Sequence, residues 1–595
     1  MCGIGGMLGA PDANVLHRMN RLQQHRGPDA DDVWMDEQVG FAHARLAIVD
    51  LESSQQPMHG ASGTALIVNG EIYNHLELRR QRSTYPFTTR GDSEAILALH
   101  EHHVNSAPHR PSPQDHAKWI ASLDGMYAFA LWDPARQQLL LARDPLGIKP
   151  LLRTSTPNGL LFASEAKAFR AHEAHVPRLD ELALAARLVW EYPLDGTTML
   201  QGVHQVRPGT VECWTLNEHG QPVLEGKANI ERQSLCPNDQ WNPETGAAPL
   251  LETFVESVQQ RLMADVPVGI VLSGGLDSSL VCAVADEAAK RASQPVPECW
   301  TVAESEDNPD WQAAERVASE LDLVHHQHLL EADAFDNRLP RLAWHGEDAD
   351  VTVMFFHPLF EHMAKRVKVG LCGQGADELH AGYPRYGDLP QHGALLNHRM
   401  SALPDALGSA LLDGSLSQDE GWYDAKHDPS TITSDLQSML NFELEHGQLS
   451  NFQLRLVDRH SMAHSLEVRV PFLGTSHRQA ANRLPLAWKR DAAREEKAAL
   501  RQAADLTRLP KDIVRRPKLP AGRATSPSML EGFLAGRASQ IDELLDRYHR
   551  WAPVLKGQEE LALGLGLFEA LHLSQDGHTK HHQSIDQLLT GVISP

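Results

Sequence analysis

The spacing of apolar residues along the chain predicts two regions of different architecture. In the N-terminal region, short apolar runs lie between turn residues, a pattern that predicts strands. The clearest of these runs are 41–49, 64–68, 127–132 and 138–143. A helix is predicted between them at 93–100, and the Pro-, Ser- and His-rich segment 103–116 is predicted to be a surface insertion.

After residue 246 the pattern changes to strands that alternate with long helices. The predicted elements are a helix at 253–262, a strand at 268–272, a helix at 280–290, a strand at 299–302 and a helix at 311–321. This succession is typical of a parallel, doubly wound α/β sheet with helices on both faces. The polar segment 217–246, which contains proline and glycine, separates the two regions and is the predicted domain boundary.

Composition restricts the class of protein and the class of partner. The content of 42% hydrophobic and 22% charged residues in 595 residues is typical of a globular chain and excludes a wholly disordered one. The formal net charge of −24 disfavours nucleic acid and anionic membranes as partners, because like charges repel. The six cysteines contain no CxxC pair, and we find neither a signal peptide nor a bilayer-spanning apolar run, so we expect a cytoplasmic protein.

One segment has the composition of a phosphate-binding loop. Ser273-Gly-Gly-Leu-Asp-Ser-Ser279 lies between a predicted strand and a predicted helix, where free backbone N–H groups attract anions. Gly274 and Gly275 allow close approach to a phosphate, and Asp277 can hold Mg²⁺ that bridges pyrophosphate. A capped helix after a glycine turn would explain a lone Gly-Gly pair, but the full motif is more specific. The chain contains no GxxxxGK[ST] sequence, which excludes a Walker-type loop.

A cysteine directly after the initiator methionine is the candidate nucleophile. If Met1 is removed, Cys2 carries both a thiol and an α-amine with a pKa of about 8. Such an amine can act as the base that activates its own side chain. The alternative is a second residue without a special role, and the motifs that follow decide against it.

These motifs resemble those of glutamine-hydrolysing asparagine synthetases. Arg26–Asp29, His43–Arg45, Asn69–Asn74 and Gly91–Glu94 occur in the order found in class II glutamine amidotransferases, and SGGLDSS resembles the PP-loop of ATP pyrophosphatases. The strand and loop at 367–383 resemble the SGEGADELFGGY segment of asparagine synthetases. The resemblance extends to about residue 525.

The resemblance implies a role for each matching residue. In the glutaminase it implies Cys2 as nucleophile, Arg45 and Asp92 as groups that bind the ends of glutamine, Asn69 and Gly70 as the oxyanion hole, and Glu71 as a further substrate contact. In the synthetase it implies Lys518 beside the α-phosphate, and Asp277 and Asp377 as ligands of Mg²⁺. The implied ATP-binding residues are Leu272, Ser273, Gly274, Gly275, Asp277, Ser278, Ser279, Val302, Cys372 and Gly373.

Gln374 is a departure at a catalytic position. The family has a glutamate there that is tied to adenylation, and it has a serine where this chain has Cys372. A neutral amide cannot act as a base. These departures lie on the acceptor side of the synthetase site. They therefore leave open which acid is amidated, whereas the type of reaction is unaffected.

The resemblance also implies fold, organisation and activity. We expect an α+β N-terminal-nucleophile layered β-sandwich at 1–216, a boundary at 217–246, a doubly wound PP-loop domain at 247–525 and a helical extension at 526–595. The implied reaction hydrolyses glutamine, adenylates a carboxylate, aspartate first, with Mg-ATP, and amidates the acyl-AMP. A related amidotransferase that acts on a peptide, a sugar acid or a secondary metabolite is the open alternative, as is a homodimer. The intact motifs disfavour a non-enzymatic homologue.

Overall fold

The computed structural model describes residues 2–106, 109–157, 159–231, 235–238, 240–418, 420–424, 426–491, 494–519 and 525–594. The chain divides into two compact units. The first unit comprises Met1–Asp180, Asp195–Gln233 and Ala264–Val266, and the second comprises Glu181–Leu194, Ser234–Met263 and Pro267–Pro595.

The first unit contains two antiparallel sheets. Its strands are β1 Gly3–Leu8, β2 Ala30–Met35, β3 Val39–Arg45, β4 Met58–His59, β5 Ala65–Ile72, β6 Gly125–Asp133, β7 Gln138–Arg143, β8 Leu152–Thr156, β9 Gly159–Ala163, β10 Val203–Gln205, β11 Thr210–Leu216 and β12 Pro222–Asn229. Its helices are α1 Ala13–Gln23, α2 His75–Gln81, α3 Glu94–Ser106 and α4 Pro113–Ile120. Each sheet has six strands, in the orders β10-β8-β9-β1-β3-β2 and β12-β11-β7-β6-β5-β4.

Apolar residues from both sheets form one sandwich core. Ile4 and Phe41 of the first sheet pack with Ile67 and Trp132 of the second. The outer face of the second sheet packs against apolar residues of α2, α3 and α4, and α1 covers the first sheet. Because alternate residues of a strand point to opposite faces, one face of each sheet packs in the core between the sheets and the other face packs against helices. This arrangement confirms the predicted layered β-sandwich.

The second unit is built around a parallel sheet. Its strands are β13 Val268–Val271, β14 Glu298–Ala303, β15 His325–Leu329, β16 Val369–Leu371 and β17 Glu467–Arg469, in the order β15-β14-β13-β16-β17. Its helices between residues 181 and 401 are α5 Glu181–Trp190, α6 Pro243–Arg261, α7 Leu276–Ala292, α8 Pro309–Glu320, α9 Ala334–Gly346, α10 Phe356–Ala364, α11 Ala376–His380 and α12 Leu389–Ser401. The later helices are α13 Asp405–Leu412, α14 Pro429–Ile432, α15 Leu436–His446, α16 Arg455–Met462, α17 Thr475–Asn482, α18 Leu486–Lys489, α19 Ala498–Ala504, α20 Lys511–Val514, α21 Pro527–Gly536, α22 Ala538–Arg547, α23 Ala552–Leu555, α24 Glu560–Phe568 and α25 Ile585–Ile593.

Helices cover both faces of this sheet. Leu371 of β16 belongs to the core formed with α6, α7 and α8, whereas a side chain at the preceding Gly370 would meet Met363 of α10. Because neighbouring residues of a strand face opposite ways, α10 lies on the other face. The structure confirms a doubly wound parallel sheet, in which the carboxyl ends of β13, β14 and β16 lie side by side.

Two local predictions are wrong. The segment 103–116 is not a surface insertion where it is described: it completes α3 and begins α4, and Val104 and His116 are buried, whereas residues 107 and 108 lie outside the described residues. Asp377 and Glu378 lie in the short helix α11 rather than in a loop. The predicted boundary segment 217–246 includes β12, which pairs with β11, and the start of α6, and a division between the two units falls within it.

The segment 526–595, which is predicted to be a helical extension, contains α21 to α25. Every residue from Leu561 to Phe568 of α24 is buried, and α24 packs on α9. These helices are therefore part of the second unit rather than an appendage. Within the described part of the chain, no helix is both long enough and apolar enough to cross a membrane.

Candidate active sites

The sandwich brings Cys2 to Asn69. Cys2 directly precedes β1 in the first sheet, and Asn69 lies on β5 in the second. The backbone nitrogen of Cys2 donates a hydrogen bond to Oδ1 of Asn69 at 3.1 Å. With Oδ1 engaged, the other end of the amide is left for a ligand, and within the described residues the buried Nδ2 has no hydrogen-bond partner. Nδ2 of Asn69 is therefore a buried donor close to Cys2 that can bind a ligand.

A buried charged network holds Cys2 in place. Nε of Arg26 donates to the carbonyl oxygen of Cys2 at 3.1 Å, and Nη1 of Arg26 donates to Glu165 at 2.8 Å. Lys167 also contacts the Glu165 carboxylate, and all three charged side chains are inaccessible to solvent. Burial lowers the pKa of neighbouring His25, although Glu165 opposes this effect. The network fixes the backbone at the nucleophile.

The other residues predicted to bind glutamine lie around these strand ends. Ala44 lies opposite Gly3, which places Arg45, at the end of β3, beside Cys2. Arg45 donates to the carbonyl oxygens of Asp50 at 2.7 Å and of Leu51 at 3.1 Å, so its side chain is anchored.

Asp92 is attached to the end of the strand that carries Asn69. It accepts from the backbone nitrogen of Ile72 at 2.7 Å, two residues beyond Gly70. Glu71 is buried on the same strand. At Gly70, with φ of +155°, a Cβ atom would lie 2.1 Å from the carbonyl oxygen of Met126, so only glycine fits this strand. Arg45 thus lies beside Cys2, and Asp92 lies at the end of the strand that carries Asn69, the partner of Cys2.

The PP-loop joins β13 to α7. Gly274 has φ of +71°, and Ser278 at the first turn of α7 accepts a hydrogen bond from the backbone of Ser273 at 3.0 Å. Nη1 of Arg516 donates to the carbonyl oxygen of Gly274 at 3.0 Å, and its Nη2 donates to Asp310 at 2.7 Å. The loop is therefore held by its own hydroxyl groups and by an arginine from a distant segment.

The strand ends around this loop carry the remaining predicted nucleotide contacts. Leu272 directly follows β13, and Cys372 directly follows β16. Val302 is the last residue but one of the neighbouring strand β14. A Cβ atom at Gly373 would lie 2.9 Å from the backbone nitrogen of Ser278, so glycine permits this close approach. Buried Ser279 lies one residue further into α7. The structure thus gathers these residues at the carboxyl edge of the sheet, where α/β folds bind ligands.

Two carboxylates and two lysines form the charged centre beside the loop. Nζ of Lys497 lies 2.6 Å from both carboxylate oxygens of Asp277 and 2.6 Å from Oδ1 of Asp377. Nζ of Lys518 lies 2.8 Å from Oδ2 of Asp377 and 3.7 Å from Oδ2 of Asp277. Burial alone would raise the pKa of Asp377, but the two ammonium groups overcome this and hold the pKa below its usual range. The carboxylates Asp277 and Asp377 therefore face each other across the lysines.

This donor set fits the metal that the resemblance implies. Carboxylate oxygens are the ligands that Mg²⁺ prefers, and two of them converge beside a phosphate-binding loop. Asp277 and Asp377 are the residues that would hold the ion, which would neutralise the pyrophosphate. Lys497 occupies the space between them in this structure.

A cavity of about 540 Å³ adjoins this centre within the second unit. Asp377, Gln374 and Lys518 line one side of it. Lys518 also lines the smaller cavity at the PP-loop together with Asp277. Close to Asp377, burial and then the Asp377 charge raise the pKa of Glu378 to about 7, and Tyr383 donates to Glu378 at 2.7 Å. Lys518 therefore lies between the large cavity and the PP-loop.

Several contributors were absent from the sequence predictions. They are Arg26, Glu165 and Lys167 around Cys2, and Asp310, Lys497 and Arg516 around the PP-loop. Lys497 carries one further signal: its φ of +56° is rare for a residue with a side chain and costs about 1 kcal/mol or more. Arg26 and Lys497 fall within segments that resemble the family. Only the structure shows that Arg26 contacts Cys2 and that Lys497 contacts Asp277 and Asp377.

Comparisons with known proteins agree with this geometry. A glutamine amidotransferase domain matches residues 1–222, and an asparagine synthase domain matches residues 249–558. The chain is 29% identical over 573 residues to asparagine synthetase [glutamine-hydrolyzing] 1 of Bacillus subtilis, covering 87% of this chain and 86% of that protein. It is 28% identical to asparagine synthetase [glutamine-hydrolyzing] 3 of the same organism, covering 92% and 91%. It is also 31% identical to amidase chyE of Penicillium rubens, covering 65% and 60%.

Proposed function

Because the chain belongs to the asparagine synthase family, we propose that it is a glutamine-dependent ligase that converts a carboxylate into an amide at the expense of ATP. The observation that supports this proposal is the cluster at the PP-loop, where Asp277 and Asp377 converge on two lysines between this loop and a larger cavity. The same chain carries Cys2 beside Asn69, whose Nδ2 is available as a donor. In the proposal, this site releases from glutamine the ammonia that the ligase uses.

In the glutaminase, the thiolate of Cys2 attacks the side-chain carbonyl carbon of glutamine. The carbon–sulfur bond forms as the carbonyl oxygen takes up negative charge, which Nδ2 of Asn69 and the backbone N–H of Gly70 stabilise. The carbonyl group then re-forms, the carbon–nitrogen bond breaks, and ammonia leaves with the proton that the α-amine of Cys2, free once Met1 is removed, took from the thiol. Water hydrolyses the thioester to glutamate. Arg45 and Asp92 bind the α-carboxylate and the α-amino group of glutamine.

In the synthetase, an oxygen of the acceptor carboxylate attacks the α-phosphorus of ATP and displaces pyrophosphate. Ammonia then attacks the carbonyl carbon of the acyl-AMP, and AMP leaves. Lys518 stabilises the charge that develops on the α-phosphate in both steps. Mg²⁺ held by Asp277 and Asp377 would supply charge neutralisation to the pyrophosphate. Aspartate is the acceptor that family membership indicates, with asparagine as product, and it is the reference acceptor.

Replacement of Cys2 by alanine tests the assignment of the two chemistries. Cys2→Ala should abolish glutamine hydrolysis, whereas ammonium chloride should still support release of AMP and pyrophosphate with ATP and an acceptor. The exposed Cys236 offers a matched control, because Cys236→Ala removes a thiol of the second unit, whereas Cys2 belongs to the first. Normal glutamine hydrolysis by Cys2→Ala would contradict the nucleophile, and ADP with phosphate as products would contradict adenylation.

A further inference from the structure

The large cavity beside the adenylation centre exceeds what aspartate requires. Its volume of about 540 Å³ lies inside the range of roughly 300–1,000 Å³ typical of pockets that enclose drug-sized ligands. At about 30 Å³ per water, it has room for roughly 18 waters. Aspartate has a single methylene between its charged groups and would leave most of this volume filled with solvent. The size therefore favours a larger acceptor.

Aromatic and aliphatic side chains form part of the walls of this cavity, beside charged and polar ones. The apolar residues that line it include Val353, Phe355, Phe356, Leu395, Phe452 and Leu456. Phe355 and Phe356 lie with ring centroids 4.5 Å apart. Burying apolar surface stabilises a complex by about 25 cal/mol per Å², and aspartate offers almost none to bury. These walls fit a ligand that has an apolar body.

The cationic groups in the same walls already have carboxylate partners. Nε of Arg187 lies 2.9 Å from Asp348, and Nη1 of Arg399 lies 3.2 Å from Glu191. Arg385 pairs with both oxygens of Glu443 at 2.8 and 2.9 Å. Free aspartate presents an α-carboxylate and an α-amino group besides the reacting carboxylate. Because each arginine and its carboxylate partner neutralise each other's charge, these arginines provide weak attraction for an additional α-carboxylate.

The C-terminal segment contributes one side of the cavity. Leu561 and Gln558 line it, and Nε2 of Gln558 donates to the carbonyl oxygens of Leu188 at 3.0 Å and Val554 at 2.8 Å. Gln558 is thereby fixed, so this wall is rigid. The helical extension, which carries no recognisable motif, therefore shapes the space that the acceptor enters.

We propose that the acceptor is a carboxylic acid with an aromatic or branched apolar body, rather than free aspartate. Its carboxylate reaches Lys518 and Gln374, while its body lies against Phe355, Phe356 and Phe452. An amide at Gln374 donates a hydrogen bond to a carboxylate, whereas a glutamate there would repel it. This inference rests on the proposed ligase function and adds the class of acid.

The test compares acceptors of increasing size. Pyrophosphate release is followed with the full chain, glutamine, ATP and Mg²⁺, using aspartate, phenylacetate, indoleacetate and naphthylacetate as acceptors, and glutaminase activity is measured in the same preparation. We expect kcat/KM for the best aryl acid to exceed that for aspartate by about tenfold or more.

A cavity-filling variant connects the result to this site. Leu395 is 44% exposed, so Leu395→Trp should fold while it narrows the cavity, and it should lower kcat/KM for the aryl acids about tenfold relative to aspartate. Leu412→Trp, at an exposed leucine outside the cavity, is the matched control and should behave as wild type. Phe452→Ala provides a second variant that widens the same wall and should weaken the aryl preference.

Each outcome has a distinct meaning. Aspartate as the best acceptor, with no pyrophosphate released by the aryl acids, would overturn this inference and leave the ligase function standing. Equal effects of Leu395→Trp on all acceptors would remove the cavity from acceptor selection and overturn it as well. Failure of every acid, aspartate included, to release pyrophosphate from an active glutaminase would refute the ligase proposal itself.

Discussion

Replacement of Lys497 by methionine is expected to destabilise the second unit, because it removes the cation that two carboxylates share. Since oxygens of Asp277 and Asp377 each lie 2.6 Å from Nζ of Lys497, they are no more than about 5 Å apart. At an effective dielectric constant of about 20, two unit charges at that separation repel by about 3 kcal/mol. Removal of one partner from a buried ion pair typically costs about 3–5 kcal/mol. Lys518 still compensates Asp377, so we expect a loss near about 3 kcal/mol.

Thermal unfolding with and without Mg²⁺ measures this effect. Lys497→Met should lower Tm in the absence of Mg²⁺, and Mg²⁺ should raise Tm more in this variant than in wild type, because the two carboxylates have lost a competing cation. Lys290→Met is the matched control, since Lys290 pairs with Asp286 on an exposed helix surface and should change Tm little. An unchanged Tm for Lys497→Met, together with the same Mg²⁺ response as wild type, would refute this account of the cluster.

Three further changes have defined outcomes. Asn69→Ala should lower kcat for glutamine hydrolysis about 10²–10³-fold by removing an oxyanion donor, and ammonia-dependent pyrophosphate release should persist; a rate within a factor of about two of wild type would contradict the role. Gly274→Ala should raise KM for ATP, because the new Cβ atom would lie 2.6 Å from the carbonyl oxygen of Asp310 at a φ of +71°, and an unchanged KM would show that the loop adapts. The pKa of Glu378 rises from 4.5 to about 7 on folding, so the folded protein retains a proton that the unfolded chain releases, and stability should fall as pH rises between these values. Glu378→Gln should remove that slope from Tm measured across pH 5 to 8, and a retained slope would assign it to another group.

Local motifs were sufficient to predict both chemistries. Cys2, the Asn69–Glu71 strand and the SGGLDSS loop are each recognisable from residues that are adjacent or nearly adjacent in sequence. Their placement also depends on distant residues, because Arg26 contacts Cys2 and Arg516 contacts the loop. The alternation of apolar residues predicted the doubly wound sheet for the same reason, because strand and helix periods are local properties of the backbone.

Composition misled where burial depends on neighbours. The segment 103–116 is rich in Pro, Ser and His, which favoured a surface insertion, yet His116 is inaccessible to solvent. Its Nε2 lies 2.9 Å from Oε1 of Gln138 on β7, and this hydrogen bond satisfies the buried ring. Polar residues are tolerated inside when a partner from another element is in place, and sequence alone does not show that partner.

The sequence by itself indicated the candidate nucleophile, the PP-loop, the fold class and the departure at Gln374, since all of these are carried by residue identity and short-range pattern. Only the tertiary structure decided that Lys497 joins Asp277 to Asp377, which are 100 positions apart, and that residues from Arg187 to Leu561 enclose one cavity. The physical reason is that charge compensation and cavity shape depend on distances between segments that chain connectivity leaves free and that packing alone sets.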